Sequence, residues 1–166
     1  MKRLHIFNPV AGGGHSPELL TKGAANGEEV YVTSGIGDAE RFVYEMCRSR
    51  SEVHFVVYGG DGTLNEAANG IINAGAGERT LLSVVPAGTG NDFARSFPEK
   101  DNIRRIDAMR YRFFAENDST KKSEERYAVN IINFGFDSRV VRKTDFYKKV
   151  FPGSAAYAAG VADTFC

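Results

Sequence analysis

VHFVVYGGDGTLNEAANGIINAGAGERTLLSVVPAGTGND, residues Val53 to Asp92, is the stretch on which the fold turns. Val53 to Tyr58 is apolar and β-branched over the length of a buried strand, and it stops at Gly59-Gly60-Asp61-Gly62-Thr63. Thr63 followed by Glu66 predicts a capping box with Thr63 as the N-cap. Leu64, Ala67, Ala68, Ile71 and Ile72 then fall on one helical stripe, which Gly75 and Gly77 end. The design recurs at once. Leu81 to Val85 reads as a second buried strand, Pro86 closes it, and residues 87–92 turn into a helix start at Phe93.

A strand, a glycine turn and a helix N-terminus together make an anion site. Glycines without Cβ let backbone N–H groups close on phosphate, and the first helical turn adds unpaired donors and about half a positive charge. Gly59, Gly60, Gly62, Gly88 and Gly90 are the candidate cradle, and Thr63, Thr89 and Asn91 are donors that can equally cap the helices they precede. In an open α/β sheet, loops at the carboxyl ends of neighbouring strands meet in one crevice, so Asp61 and Asp92 are expected to share it. Carboxylates beside phosphate need a cation between them, and Mg²⁺ is the economical choice.

Outward from this stretch the elements alternate. Arg3 to Phe7 reads as a first strand ending in Asn8-Pro9-Val10-Ala11-Gly12-Gly13-Gly14, and Ser16-Pro17 starts a short helix. No Gly-Lys-Ser/Thr follows, which disfavours a P-loop. Residues 28–33 form a second strand, Asp38 is the expected N-cap of the next helix, and Ala39, Phe42, Val43, Met46 and Cys47 are its core face. Short turns between alternating strands and helices predict a mainly parallel sheet. Beyond Arg95, residues 103–114 and 126–134 read as arms of an antiparallel hairpin about a polar tip at 115–125.

Composition sets the outer limits. The 166 residues fit one domain with an apolar content of 42%, and 21 basic against 21 acidic residues give no overall attraction to nucleic acid. Two cysteines argue for a reducing compartment rather than a disulfide framework. No apolar run reaches the ~20 residues of a membrane span, and no signal peptide is evident. The histidines at 5, 15 and 54 lack metal-ligand spacing. Arg139, Arg142, Lys143, Lys148 and Lys149, interleaved with Phe146, Tyr147 and Phe151, read as a solvated helix face or an interfacial membrane contact.

GGDGTLNEAANGI (Gly59 to Ile71), PAGTGNDFAR (Pro86 to Arg95) and NFGFD (Asn133 to Asp137) resemble the catalytic domain of the diacylglycerol kinase family, in its bacterial lipid-kinase branch. GGDGT alone is shared with NAD kinases and phosphofructokinases, whereas PAGTGNDFAR is more selective. The resemblance implies a three-layer Rossmann-like α/β fold of the NAD kinase and phosphofructokinase type, followed by the hairpin. It implies ATP and Mg²⁺, with Asn8, Pro9, Gly12, Gly13, Thr33 and Glu66 joining the two glycine turns around the nucleotide. Asp61 becomes the general base or a holder of metal-bound water, with Asp92 and, through water, Asp107 near the cation. Asp107 can equally be a solvent-facing strand residue, and Asp137 a bystander.

The domain is expected to span 1–140 with hairpin 103–134, leaving 141–166 as a tail toward a second lobe that the family has and this sequence lacks. The expected activity is ATP-dependent transfer to a lipid hydroxyl such as diacylglycerol, in the cytoplasm or at the inner membrane surface. A catalytically incomplete nucleotide-binding module is the alternative, with a sphingoid-base or NAD kinase behind it. A lone lobe exposes apolar surface, so self-association is expected as well.

Overall fold

The computed structural model describes residues 1–13, 27–97, 103–112, 124–132, 136–147, 150–151 and 154–165. Four parallel strands, β1 (Lys2–Phe7), β2 (Glu29–Val32), β3 (Val53–Gly59) and β4 (Thr80–Pro86), lie in the order β2-β1-β3-β4. Helices α1 (Asp38–Ser49) and α2 (Asp61–Asn73) follow β2 and β3, and the five-residue α3 (Asp92–Ser96) follows β4. The mainly parallel α/β sheet expected from alternation is therefore what the chain forms.

Strand periodicity sorts the core. Leu4 and Ile6 of β1 join Val53, Phe55 and Val57 of β3 on one face, where Val43, Cys47 and Ala67 from the two helices meet them. Fully burying each of the larger members stabilises the fold by roughly 1.5–3 kcal/mol. Met46 packs at the margin of this cluster, and burial pushes the Cys47 thiol up. Phe7, Val56 and Tyr58 occupy the opposite face with Val85. There the two nitrogens of His5 take the Tyr58 hydroxyl at 3.1 Å and the Glu28 carboxylate at 2.5 Å.

Gly70 brings α1 and α2 together, because a Cβ on it would stand 2.6 Å from the Glu40 carbonyl oxygen and 2.9 Å from the Val43 Cβ. Arg79 then fixes the start of β4 by donating to the carbonyls of Cys47, Arg50 and Ser51 at 2.7, 2.6 and 3.1 Å. A cation placed there also opposes the negative end of α1.

Several local expectations are corrected. No capping box forms on Thr63: Gly60, extended at φ −96° and ψ −171°, takes the N-cap place, and α2 begins at Asp61, three residues earlier than expected. Asp38 likewise yields the N-cap to Gly37, whose φ of 82° suits glycine, and becomes the first residue of α1. The hairpin arms are shorter than the apolar pattern suggested, with β5 (Met109–Arg112) pairing antiparallel with β6 (Glu125–Ala128). Residues 103–108 are exposed and outside any strand. The predicted helix at Ser16, the hairpin tip at 115–123 and residues 133–135 of NFGFD lie outside the described residues.

The chain divides into two compact units, 1–130 and 131–166. The second holds α4 (Phe136–Tyr147) and α5 (Ser154–Phe165), which pack where Gly160 admits Thr144: a Cβ there would lie 2.5 Å from the Thr144 hydroxyl.

Candidate active site

Three turns at the carboxyl ends of β1, β3 and β4 come into backbone contact. Gly12 adopts φ 60°, and a Cβ on it would lie 2.4 Å from the Ala87 carbonyl oxygen. A Cβ on Gly88 would lie 2.5 Å from the Gly60 Cα, and one on Gly60 would lie 3.1 Å from the Gly88 Cα. Only glycine permits these approaches. Backbone bonds bind the turns further: Asn8 N–H donates to the Tyr58 carbonyl at 3.0 Å and Ala87 N–H to that of Gly59 at 2.9 Å.

Side chains then set the shape of each turn. The Asn8 amide donates to the Thr63 hydroxyl at 2.8 Å, and its oxygen accepts from Val10 N–H at 3.1 Å. Thr63, inside α2, is thus occupied with the first turn rather than with capping. Asn91 holds the left-handed conformation at φ 58°; its side chain accepts from Gly88 N–H at 2.9 Å and donates to the Gly88 carbonyl at 2.7 Å. Thr33 N–H donates to the Phe7 carbonyl at 2.9 Å, which sets the β2 turn beside the β1 turn.

A cleft of about 370 Å³ opens over these turns. Asn8, Pro9, Thr33, Gly60, Gly62, Thr63, Glu66 and Gly88 line it, as do Val10, Ala11 and residues 34–36. Gly12, Gly13, Gly59, Asp61, Thr89, Gly90, Asn91 and Asp92 do not line it. Gly59 sits beneath, where a Cβ would collide with Thr63 at 2.8 Å. Ser34 to Gly37 is pinned by Asp38, which is buried and accepts from Ser34 N–H at 2.8 Å, Arg41 at 2.6 Å, the Ser34 hydroxyl at 2.9 Å and the Tyr31 hydroxyl at 2.9 Å. These donors, the Ser34 N–H foremost, hold its carboxyl well below the usual range.

The two aspartates do meet. Asp61 Oδ2 accepts from Asp92 N–H at 3.1 Å, and Oδ1 accepts from Phe93 N–H at 3.0 Å and the Asn130 amide at 3.3 Å. A Cβ built on Gly90 would lie 3.3 Å from Asp61 Oδ2 and 3.5 Å from Asp92 Oδ2, so these oxygens converge on Gly90. Among the described residues no group of three or more His, Cys, Asp or Glu side chains is placed to hold a metal.

The diacylglycerol kinase catalytic domain model matches residues 2–122. The chain belongs to the diacylglycerol kinase catalytic domain family. A Staphylococcus carnosus (strain TM300) diacylglycerol kinase is 34% identical over 165 residues, covering 92% of this chain and 51% of that protein. A protein of Enterobacter sp. (strain 638) named "Probable lipid kinase YegS-like" is 30% identical over 145 residues, covering 84% of this chain and 48% of that one. A solved Bacillus anthracis str. Sterne structure named "A putative diacylglycerol kinase" superposes with a TM-score of 0.50 at 34% identity, covering 58% of this chain and 34% of its own. The chain spans about half the length of the curated relatives it matches.

Within this diacylglycerol kinase fold, Asp107 lies in the exposed segment 103–108 before β5 rather than on a strand arm. The Asp137 side chain lies outside the described residues. Asn65, Asn69 and Asn130 escaped the sequence analysis, since an asparagine on a helix face or after a strand looks like ordinary surface. The available signals were the place of Asn65 and Asn69 inside GGDGTLNEAANGI and the i, i+4, i+8 spacing of Asp61, Asn65 and Asn69 on α2.

Proposed function

We propose that this chain is the nucleotide-binding part of an ATP-dependent lipid kinase, which transfers the γ-phosphate of ATP to the hydroxyl of a lipid such as diacylglycerol. The observation that carries this is the closure of the β3 and β4 turns on each other, with Asp61 bound across them beside a cleft floored by main chain. The first amides of α2 have no acceptor within the helix, so they are available to phosphate at Gly62 and Thr63. Val10 and Ile36, both largely exposed on the cleft rim, offer apolar surface to the base.

Asp61 and Asp92 suit a hard cation that takes one or two carboxylates and fills its remaining positions with substrate phosphates and water. Mg²⁺ so held would neutralise charge on the phosphates during transfer. The lipid oxygen attacks the γ-phosphorus, the bond from that phosphorus to the β,γ-bridging oxygen breaks, and ADP leaves. The hydroxyl proton passes to a carboxylate, for which Asp61, bound across the β3 and β4 turns beside the cleft, is the candidate. Asp107 has a place in this scheme only through water. No helix among the described residues is long and apolar enough to cross a membrane.

Transfer of radiolabelled phosphate from ATP to diacylglycerol in mixed micelles, dependent on Mg²⁺ and abolished in Asp61→Ala, tests this proposal. Sphingoid base and NAD as acceptors test the neighbouring chemistries. The engagement of Asp61 by the Asp92 and Phe93 amides, outside the cleft lining, favours a second reading, a module that binds nucleotide without transferring phosphate. In that case ATP raises the melting temperature while no acceptor is labelled.

A further inference from the structure

Helix α2 presents Asp61, Asn65 and Asn69 at intervals of four residues, and the chain from Tyr127 to Asn130 runs along them. Asn69 exchanges two hydrogen bonds with one backbone unit: its amide donates to the Tyr127 carbonyl at 2.8 Å, and Tyr127 N–H donates back to its oxygen at 2.9 Å. One step along, Val129 N–H donates to the Asn65 oxygen at 3.2 Å. The spacings agree, because four helical residues rise about 6 Å and two strand residues about 6.6 Å. The side chains of α2 therefore act as a pairing edge for the end of β6 and the two residues that follow it, and the last rung is the Asn130 amide on Asp61.

That rung falls on a particular oxygen. A carboxylate oxygen accepts about two hydrogen bonds. Asp61 Oδ1 has two donors, Phe93 N–H and Asn130, whereas Oδ2 has Asp92 N–H alone among the described residues. The vacant acceptor direction is on Oδ2, which converges with Asp92 Oδ2 at Gly90.

Building on the proposed function, we infer that Asn130 is a positioning residue which saturates Asp61 Oδ1 and turns Oδ2 toward the magnesium of the bound nucleotide. The asparagine ladder supplies the placement. Because the hydrogen bond of the Asn130 side chain among the described residues goes to the carboxylate, its contribution concerns the metal-bound ligand and not the nucleotide itself.

Calorimetric titration of the chain with ATP, once with excess Mg²⁺ and once with a chelator, separates the two. Asn130→Ala is expected to weaken Mg-ATP binding ~10-fold, the scale of groups that orient metal ligands, and to leave metal-free ATP affinity unchanged. Amide exchange at Tyr127 reports whether the ladder still holds in that variant, and its protection is expected to persist. Equal losses with and without Mg²⁺, lost Tyr127 protection, or no loss at all would overturn the assignment. Absence of any nucleotide binding by the unsubstituted chain would instead sink the kinase proposal beneath it.

Discussion

Gly88 has no space for a methyl group, since the nearest neighbour of its absent Cβ is the main chain of Gly60 rather than a movable side chain. Gly88→Ala is expected to push the two turns apart and to abolish the ATP-induced rise in melting temperature, while the far-UV circular dichroism of the sheet persists. Asp38 makes a different prediction. Its carboxyl is depressed in the folded chain, so its stabilisation is present above the usual aspartate value and declines progressively as pH falls from about 5 downward. Asp38→Asn is expected to lower the melting temperature at neutral pH and to flatten its decline on acidification, read by thermal scans across that range. The glycines were legible from spacing, but their mutual contact was not, because a sequence does not state which backbones approach. Thr63 was misjudged for a related reason: the amide of Asn8, 55 positions away, claims its hydroxyl.

At the scale of elements, amphipathic periodicity located α1 and α2 correctly and propensity misplaced their first residues. A glycine in extended or left-handed geometry starts each helix where a side-chain cap was expected. Apolar alternation also overestimated the hairpin, whose paired length is four residues on each arm. What holds β6 is instead the face of α2. Asn69 is only 3% exposed, and its removal leaves the main-chain N–H and carbonyl of Tyr127 without their side-chain partner. Asn69→Ala is therefore expected to destabilise the fold by about 1–3 kcal/mol and to expose the Tyr127 amide to exchange. Gly70→Ala, which overpacks α1 against α2, is expected to cost about 1–3 kcal/mol in chemical denaturation, with no specific effect on nucleotide affinity.

For the whole molecule, the parallel sheet and its cleft were readable because strands, turns and helices alternate at short intervals, and two of the three family motifs fall at the ends of β3 and β4. The relation between Asp61 and Asn130 was not, since it depends on register between elements 69 positions apart. If the chain takes up nucleotide, ATP at 100 times its dissociation constant stabilises it by about 2.7 kcal/mol, and the shift grows logarithmically with concentration. A flat melting profile across a thousandfold range of Mg-ATP would refute nucleotide binding.

The contact of Gly12 with Ala87, and of Gly60 with Gly88, has a consequence for how such a molecule could change its tastes. A floor made of bare main chain offers substitution almost no handle, because each alteration there breaks the masonry before it alters the guest. New preferences must therefore arise from the side chains that overhang it, Val10, Ile36 and Glu66, which can be exchanged without disturbing a single stone below.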